Sequence, residues 1–489
     1  TTLDALDMAK LIKDKTITAD ECLEASKKII EKENPKINAV VYPMFDHAKQ
    51  ALKTLPNEAP LYGVPFLLKD LLDSYKGVPL SNGSKAFKNY IPDYDAVTVE
   101  RYKAAGLNIV GKSNCPELGL MGITEPELHG ATRNPWNIKF TPGGSSGGSA
   151  AAIAAGMVPA ASAGDGGGSI RIPASYCGLF GLKPSRGRTP TGPQHGRVWH
   201  GATSLGVLSR SVADSALLLD IVSGPEVGAP YGIEAPIRSF LDETRRECRP
   251  LKIALNTDSP VGACVDPEII ASIQMTAKLL EELGHSIEYK APAIDNEALV
   301  KSYIIMYTAD TAEVIRSSQE LTGVKPSMKN FELITWILSL LGNTYSAADL
   351  HWAVNLWDKT AHIMGEFHNN YDLYLTPTVA AAPPRIGEFD LSPLERMGLS
   401  LVGKLGFKKL IRKSGVIEAT AAEMLAKTPF TQLANFTGQP AMSLPLGMSS
   451  EQLPIGSQFI AKRGDEATLF NLAAQVERAY PWSKRRAKA

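Results

Sequence analysis

The 489-residue sequence predicts an α/β fold in which a β-sheet is sandwiched between α-helices. Short apolar runs rich in Val, Ile and Leu alternate with stretches of helical periodicity, which is the pattern that a sheet covered by helices requires. Hydrophobic residues make up 44% of the chain, enough for a substantial core. The length alone allows about two to four domains, although large α/β proteins also form single units.

The N-terminal part of the chain shows this alternation. Residues 2–36 have helical spacing, and Thr18 with Glu21 forms a capping box at the start of a second helix. The elements predicted next are a strand at 37–42, a helix at 45–55, a strand at 62–68, a helix at 96–105, a strand at 107–112 and a helix at 113–120. We expect the loop that follows at 120–125 to line a pocket.

A lysine closes the apolar strand predicted at 62–68. An uncompensated ammonium group is costly beside a buried strand, so Lys69 needs either an acidic partner or a function. Asp70 is the neighbouring candidate for a salt bridge. Buried ionisable groups are usually paired or functional, and both interpretations stay open at this point.

A glycine- and serine-rich stretch at 141–171 organises the chain. Two glycine-rich segments, 143–149 and 165–171, enclose a predicted helix at 150–156 and a predicted buried strand at 157–163. Glycines let backbone N–H groups turn toward a ligand, and glycines that open a helix gather unpaired N–H groups. Two such segments, each carrying serines, indicate acyl-transfer chemistry.

Other interpretations of this stretch fit less well. A flexible linker would not alternate with an apolar run. A phosphate loop needs a lysine after its glycines, and a dinucleotide-binding motif needs the spacing G-x-G-x-x-G. The G-x-S-x-G motif of the α/β-hydrolases is missing.

Residues 143–188 contain the motifs GGSSGGSAAAIAAG and GDGGGSIRIPASYCGLFGLKPSRGR. Together they resemble the signature of the amidase signature family of serine hydrolases. The resemblance extends to GVPFLLKD at 63–70, PFTQLANFTGQPAMSLPLG at 429–447 and PIGSQFIAKRGDEATLFNLAAQVE at 454–477, and so covers nearly the whole chain. Three further segments, NPKINAVVYPMF, TRNPWN and VGAPYGIEAP, are most similar to the family's 6-aminohexanoate cyclic dimer hydrolases.

The resemblance implies the amidase signature fold, with a large, mixed and twisted β-sheet as its core between α-helices. It implies one domain over residues 1–489, with the signature core at about 60–220. The implied activity is hydrolysis of a non-peptide carbon–nitrogen bond in a small linear or cyclic amide, through an acyl-enzyme and without a metal or cofactor.

The resemblance also assigns individual residues. Ser169 matches the nucleophile, Ser145 the bridging serine and Lys69 the base. The oxyanion hole is expected from the N–H groups of Gly166, Gly167, Gly168 and Ser169. Structural support is expected from Ser146, Asp165 and Arg171. The family has a cis peptide before its bridging serine, which here is the bond Gly144–Ser145.

A lysine that acts as a base must have a lowered pKa, and the sequence places Lys69 where burial would lower it. To accept a proton, the amine of Lys69 must be neutral, so its pKa must fall from about 10.4 toward the operating pH. Burial at the end of the run 62–68 supplies the desolvation that lowers it. Ser145 would then pass the proton of Ser169 to Lys69.

The C-terminal half continues the pattern. The elements predicted there are a strand and helix within 204–222, a connector at 223–250, strands at 251–255 and 285–289, a helix at 267–283 and a mostly helical region at 301–366. Aromatic residues in the last region are interpreted mainly as core, with one or two covering a substrate pocket. They are Tyr303, Tyr307, Trp336, Trp352 and Trp357.

Residues 399–413 form a basic amphipathic stretch. Such a helix either covers an active site as a lid, here within about 390–428, or lies on a membrane surface. The lid is the commoner case, and both interpretations stay open.

The composition of the chain limits the binding partners and the cellular compartment that we expect. Lys and Arg number 51 against 51 Asp and Glu, so no global field attracts nucleic acid or a membrane, and no apolar run of about 20 residues spans one. The five cysteines lack a CxxC pair and the eight histidines lack an HExxH motif, which argues against a disulfide framework and a zinc site.

A cytoplasmic protein is the simplest expectation, although a removed signal peptide would leave no trace. The oligomeric state is open, and a homodimer is compatible with the sequence.

Two alternative functions remain. The A subunit of a glutamyl-tRNA amidotransferase shares the signature, but residues 303–329 contain no segment like its RYDGVR glutamine-recognition sequence. A catalytically silent binding protein on the same scaffold is the other alternative, although all three reactive positions are intact. Release of ammonia from glutamine would identify the first, and failure of a serine-directed reagent to label Ser169 would identify the second.

Overall fold

The computed structural model describes residues 3–405 and 425–487. The strands are β1 Val40–Pro43, β2 Pro65–Lys69, β3 Asn108–Ser113, β4 Ala160–Asp165, β5 Phe180–Lys183, β6 Ser204–Ser209, β7 Lys252–Leu255, β8 Ser286–Tyr289, β9 Leu373–Pro377, β10 Ala441–Met448 and β11 Pro454–Ala461. Within the described residues they form one sheet of eleven strands in the order β1-β3-β2-β4-β6-β5-β10-β11-β9-β7-β8. Strand β2 is parallel to β3 and β4, whereas β10 is antiparallel to β5 and β11, so the sheet is mixed.

Helices flank this sheet. They are α1 Ala5–Lys13, α2 Ala19–Ile37, α3 Phe45–Ala51, α4 Val97–Ala104, α5 Gly147–Ala154, α6 Arg171–Cys177, α7 Val212–Val222, α8 Phe240–Glu243, α9 Pro267–Glu282, α10 Asn296–Thr322, α11 Leu333–Gly342, α12 Ala347–Phe367, α13 Pro393–Leu405, α14 Gln432–Thr437 and α15 Glu466–Ala479. The mixed sheet with its flanking helices confirms the predicted fold class.

Strand β2 shows how the sheet divides the interior. Phe66 and Leu68 pack into the core that contains α4, α7 and α15. Leu67 packs into a second core, which contains α2, α3 and α5. Successive side chains of a strand point to opposite faces, so Lys69 at the end of β2 shares the face of Leu67. That is the face on which α5 begins.

The helix predicted at 113–120 is wrong. Strand β3 ends at Ser113, and only a short 3-10 turn at Glu117–Gly119 follows. Pro116 has no N–H group to donate, and Leu118 and Gly119 have left-handed φ angles of 52° and 70°, a backbone conformation that an α-helix cannot contain.

The single domain predicted over 1–489 stays a prediction, although strands from both ends of the chain join one sheet. Segment 60–220 supplies the five strands β2 to β6. No described helix has both the length and the apolar character needed to cross a lipid bilayer.

Candidate active site

Lys69 and Ser145 form a buried pair. The Nζ atom of Lys69 lies 2.7 Å from Ser145 Oγ in a hydrogen bond, and each residue is only 2% exposed. The backbone N–H of Lys69 donates to Ser162 Oγ at 2.7 Å, which fixes the end of β2. Asp70 contacts Ser81 and Lys112 instead, so the alternative of a Lys69–Asp70 salt bridge is wrong.

Burial changes the proton affinity of Lys69. Desolvation lowers the pKa of its amine to about 8, against the opposing influence of Cys115, Asp73 and Asp165. A lysine with such a pKa supplies a sizeable neutral fraction near neutral pH, and a neutral amine can accept a proton.

Two other buried lysines differ from Lys69 in their contacts. Desolvation also lowers the pKa of Lys112, and that of Lys183 to about 7. Lys112 Nζ lies 3.9 Å from a carboxylate oxygen of Asp70, and Lys183 donates to the carbonyl of Pro184 at 2.7 Å. Among the described residues, neither lysine bonds to a serine hydroxyl as Lys69 does.

The loop before α5 carries Ser145 and is bonded to Ser169 through the next residue, Ser146. The peptide bond Gly144–Ser145 is cis, as the resemblance implies. The backbone N–H of Ser146 donates to the carbonyl of Ser169 at 3.3 Å, and the Ser146 hydroxyl donates to the carbonyl of Gly164 at 3.3 Å. The segment 143–149 is therefore hydrogen-bonded directly to residues 164 and 169.

Asp165 and Arg171 form a buried ion pair below Ser169. Arg171 donates through Nε and Nη2 to the two carboxylate oxygens at 2.9 and 2.8 Å. Burial opposes the charge of Asp165, but the Arg171 guanidinium and its hydrogen bonds hold the pKa of the carboxyl well below its usual range. Asp165 is thus an ionised anchor for the loop.

This anchor corrects one expected oxyanion donor. The N–H of Gly168 donates to Asp165 Oδ1 at 2.7 Å, so it is used inside the protein and cannot face a substrate. Within the part of the chain that the structure describes, the N–H groups of Gly166, Gly167 and Ser169 form no hydrogen bond. These three remain available as donors.

Sequence reasoning missed the residues that complete this anchor. Arg171 Nη2 donates to Asn435 Oδ1, and Nη1 donates to Gln458 Oε1, both at 2.6 Å. Thr431 Oγ1 donates to the carbonyl of Gly167, also at 2.6 Å. Their only signal in the sequence is a polar residue among apolar neighbours within the family-like segments 429–447 and 454–477.

A cavity of about 460 Å³ opens above Ser169. Most of its lining is apolar. The side chains that line it include Leu120, Met121, Ile123, Trp199, Ile304, Ile334, Ile337, Leu338, Phe389, Leu399 and Val402. The loop predicted at 120–125 does line this pocket, which confirms that prediction.

The five predicted aromatic residues differ in their surroundings. Trp336 is half-buried and packs against the apolar side chains of α11. Tyr303 and Tyr307 line the cavity, whereas Trp357 is buried and stacks on Phe436 with ring centroids 4.7 Å apart. Trp352 is 42% exposed.

Helix α13 covers one side of the cavity. Leu399 and Val402 line the cavity, while Leu394, Met397 and Leu401 are exposed. Residues 406–413 of the predicted amphipathic helix lie outside the described residues. The choice between lid and membrane surface therefore stays open, although the contact of α13 with the cavity favours a lid.

A buried lysine–serine pair, a second serine on the wall of an apolar cavity, and free backbone donors, all on a mixed α/β sheet, define a hydrolase of the acyl-transfer class. The Amidase family model matches residues 21–470. The chain belongs to the amidase signature family, and it is a hydrolase that acts on amides.

Relatives and solved structures agree with this assignment. The chain is 36% identical to a 6-aminohexanoate-cyclic-dimer hydrolase of Pseudomonas sp. (strain NK87), over 99% of this chain and 96% of the relative. It is 32% identical to an acylamidase of Rhodococcus erythropolis, over 99% and 97% of the two chains. A solved structure of 6-aminohexanoate cyclic dimer hydrolase with substrate is 37% identical, with a TM-score of 0.90 over 100% of this chain and 99% of the other.

Proposed function

We propose that the protein hydrolyses a linear or cyclic aliphatic amide, with Ser169 as nucleophile, Ser145 as proton relay and Lys69 as base. The hydrogen bond of 2.7 Å between Lys69 Nζ and Ser145 Oγ carries this assignment. It joins a buried amine of lowered pKa to a hydroxyl on the loop that is bonded to Ser169.

The proposed reaction uses these three side chains in turn. Ser169 Oγ attacks the carbonyl carbon while its proton passes to Ser145, whose own proton moves to Lys69. The same route returns the proton to the leaving nitrogen as the carbon–nitrogen bond breaks, leaving an acyl-enzyme. Water then adds to the ester carbonyl while its proton passes through Ser145 to Lys69. As the ester bond breaks, that proton returns through Ser145 to Ser169 Oγ, which releases the acid and the free enzyme.

Three backbone groups stabilise the charge that develops on the carbonyl oxygen. The free N–H groups of Gly166, Gly167 and Ser169 are held by a loop anchored on Asp165 and Arg171. Donors fixed in advance cost no reorganisation during the reaction, and losing one donor in such a hole typically lowers the rate by about 10²–10³.

The cavity supports an apolar, aliphatic substrate. Its wall is mostly aliphatic and aromatic, and such walls bind the apolar part of a ligand while a few polar groups orient it. The relatives named for a cyclic dimer of 6-aminohexanoate and for acylamides fit this class. A panel of p-nitroanilides and cyclic amides of rising chain length would show which amides are turned over.

Replacement of Ser169 tests the assignment. We expect Ser169→Ala to lower amide hydrolysis by at least about 10⁴-fold with an unchanged fold, because the variant lacks the hydroxyl that forms the acyl-enzyme. Ser450→Ala, at an exposed serine of the β10–β11 loop, serves as the control and retains full activity. A Ser169→Ala enzyme that hydrolyses the amide at the wild-type rate would contradict the assignment.

Other expectations remain predictions. The scheme uses no metal, so a chelator should leave the activity unchanged. The absence of a nucleic-acid partner, the homodimer and the cytoplasmic location stay predictions, and sedimentation of the purified chain would measure its oligomeric state.

A further inference from the structure

Hydroxyl groups on the cavity wall are of two kinds. Tyr307 donates to the carbonyl of Leu120 at 2.6 Å, Tyr176 to that of Ala381 at 3.2 Å, and Thr308 to that of Ile304 at 2.8 Å. Ser169 and Tyr303 also line the cavity, and in residues 3–405 and 425–487 their hydroxyls have no hydrogen-bond partner. One of these two free hydroxyls is the proposed nucleophile.

The free hydroxyl of Tyr303 lies beside residues 166–169, which supply the backbone N–H groups of the proposed oxyanion hole. A Cβ atom built on Gly167 would be 3.2 Å from the Tyr303 hydroxyl oxygen and 3.8 Å from its Cζ atom. Gly167 is itself held by Thr431, which donates to its carbonyl at 2.6 Å. The phenol thus reaches the end of the cavity where the scissile amide must lie for attack by Ser169.

The ring of Tyr303 is fixed by aromatic neighbours. Its centroid lies 5.4 Å from those of Tyr307 and Phe436, and 6.4 Å from that of Trp199. A hydroxyl held by packing on three sides loses little further freedom when it binds a substrate, which is how a group becomes preorganised.

We propose that the Tyr303 hydroxyl donates a hydrogen bond to the carbonyl oxygen of the scissile amide, as a side-chain member of the oxyanion hole. This inference rests on the proposed function of Ser169. Tyr303 takes the place of the donor that Gly168 cannot supply, since the Gly168 N–H is bound to Asp165.

The protonation state of Tyr303 fits a donor. Burial, with a smaller contribution from the charge of Asp165, raises the pKa of Tyr303 far above its usual range. The phenol therefore keeps its proton at every pH at which the enzyme can work. No proton is transferred, and the hydrogen bond strengthens as the carbonyl oxygen gains charge in the transition state.

The test compares Tyr303→Phe with wild type on an aliphatic p-nitroanilide. We expect kcat to fall about tenfold or more with little change in KM, because the lost bond acts mainly in the transition state. The control is Tyr371→Phe, which removes the hydrogen bond that the Tyr371 hydroxyl donates to Glu288 on the edge strand β8, and it retains the wild-type kcat.

A thioamide of the same acyl chain sharpens the test, because sulfur is a weaker hydrogen-bond acceptor than oxygen. We expect Tyr303→Phe to cost several-fold less in kcat on the thioamide than on the amide. Equal losses on both substrates, a change confined to KM, or an unchanged kcat on the amide would each overturn the inference.

A fluorophosphonate that labels serine nucleophiles separates this inference from the proposed function. Wild type and Tyr303→Phe should both carry the label on Ser169. If wild type is not labelled there, the assignment of Ser169 fails. If both proteins are labelled but the kinetic pattern above is absent, only the role of Tyr303 fails.

Discussion

Two regions meet at Ser169, and they are built in opposite ways. Below it lies a polar layer, formed by Lys69, Ser145, Asp165, Arg171 and Asn435, in which each side chain is buried and hydrogen-bonded. Above it lies the cavity of about 460 Å³ with a mostly apolar wall. Hydrogen bonds hold the charged and polar groups of the layer in place, whereas the cavity wall presents apolar surface that a substrate can contact.

This difference between the two regions assigns the chemical reaction to the polar layer and the choice of substrate to the cavity wall. In the polar layer, one substitution leaves a buried charge or donor without its partner, which is expensive. In the wall, one substitution changes a few methylene contacts, each of modest energy. Substitutions in the layer should therefore affect every substrate, and substitutions in the wall should affect some substrates more than others.

Among substitutions that leave the proposed nucleophile in place, the largest effect is expected at Lys69. Lys69→Met fills the same space without an amine, and we expect kcat to fall by about 10²–10⁴ on every amide, which is the usual contribution of a general base. Lys69→Arg is the matched variant, because guanidinium keeps its proton at any working pH. Its rate should be just as low, and an active Lys69→Arg enzyme would contradict the base role. Steady-state kinetics on short and long amides measures both.

Arg171 tests the stability of the same layer. Arg171→Met leaves the Asp165 carboxylate buried without its partner, and we expect the free energy of unfolding to fall by about 3–5 kcal/mol. In contrast, Arg245→Met breaks the exposed pair with Asp242 and should cost less than about 1 kcal/mol. Urea unfolding followed by circular dichroism compares them. Equal losses would mean that the buried pair does not anchor the layer.

The lowered pKa of Lys69 also predicts how stability depends on pH. The pKa is about 8 in the folded chain and 10.5 ordinarily, so between these values the unfolded chain binds more protons. The free energy of unfolding should therefore rise with pH over this window, by up to about 3 kcal/mol from Lys69. Urea titrations of wild type and Lys69→Met across this pH range isolate the contribution of Lys69 to the free energy of unfolding. Parallel pH curves for the two proteins would show that burial does not shift the pKa.

The smallest effect is expected in the cavity wall. Ile334 lines the cavity from α11, and Ile334→Ala should lower kcat/KM by about tenfold for the amides that contact it. Short amides that do not reach it should lose little. A chain-length series of p-nitroanilides gives the comparison. An equal loss of kcat/KM at every chain length would contradict this prediction, because it would show that Ile334 affects every substrate as the polar layer does.

The same two regions differ in how far the sequence reveals them. Ser145, Asp165, Ser169 and Arg171 lie within one contiguous glycine-rich stretch, and Lys69 ends a run of recognisable apolar residues. Their motifs resemble a known family, so the polar layer was largely predictable. There were two exceptions. The Gly168 donor was one, because the direction of an N–H group depends on the path of the backbone and not on residue type. Asn435 was the other, because only tertiary packing brings it to Arg171.

The cavity wall was hardly predictable. It brings together the loop at 120–125, helices α10, α11 and α13, and residues near 384–391, and only tertiary packing sets the distances between them. Strands β9, β10 and β11 were also not predicted, because they are almost wholly buried and lack the alternation of polar and apolar residues that marks a half-exposed strand. Of the aromatic residues at 301–366, periodicity could not tell Tyr303, on the wall, from Trp357, in the core.

The central claim is that a neutral Lys69 activates Ser169 through Ser145. The most direct measurement is the rate at which a fluorophosphonate labels Ser169 as a function of pH, with peptide mass spectrometry to locate the label. For wild type we expect the rate to rise with pH and to level off above a midpoint near 8, the pKa of Lys69, and for Lys69→Met we expect slow labelling without that midpoint. Labelling at another residue, or the same pH profile in both proteins, would contradict the claim.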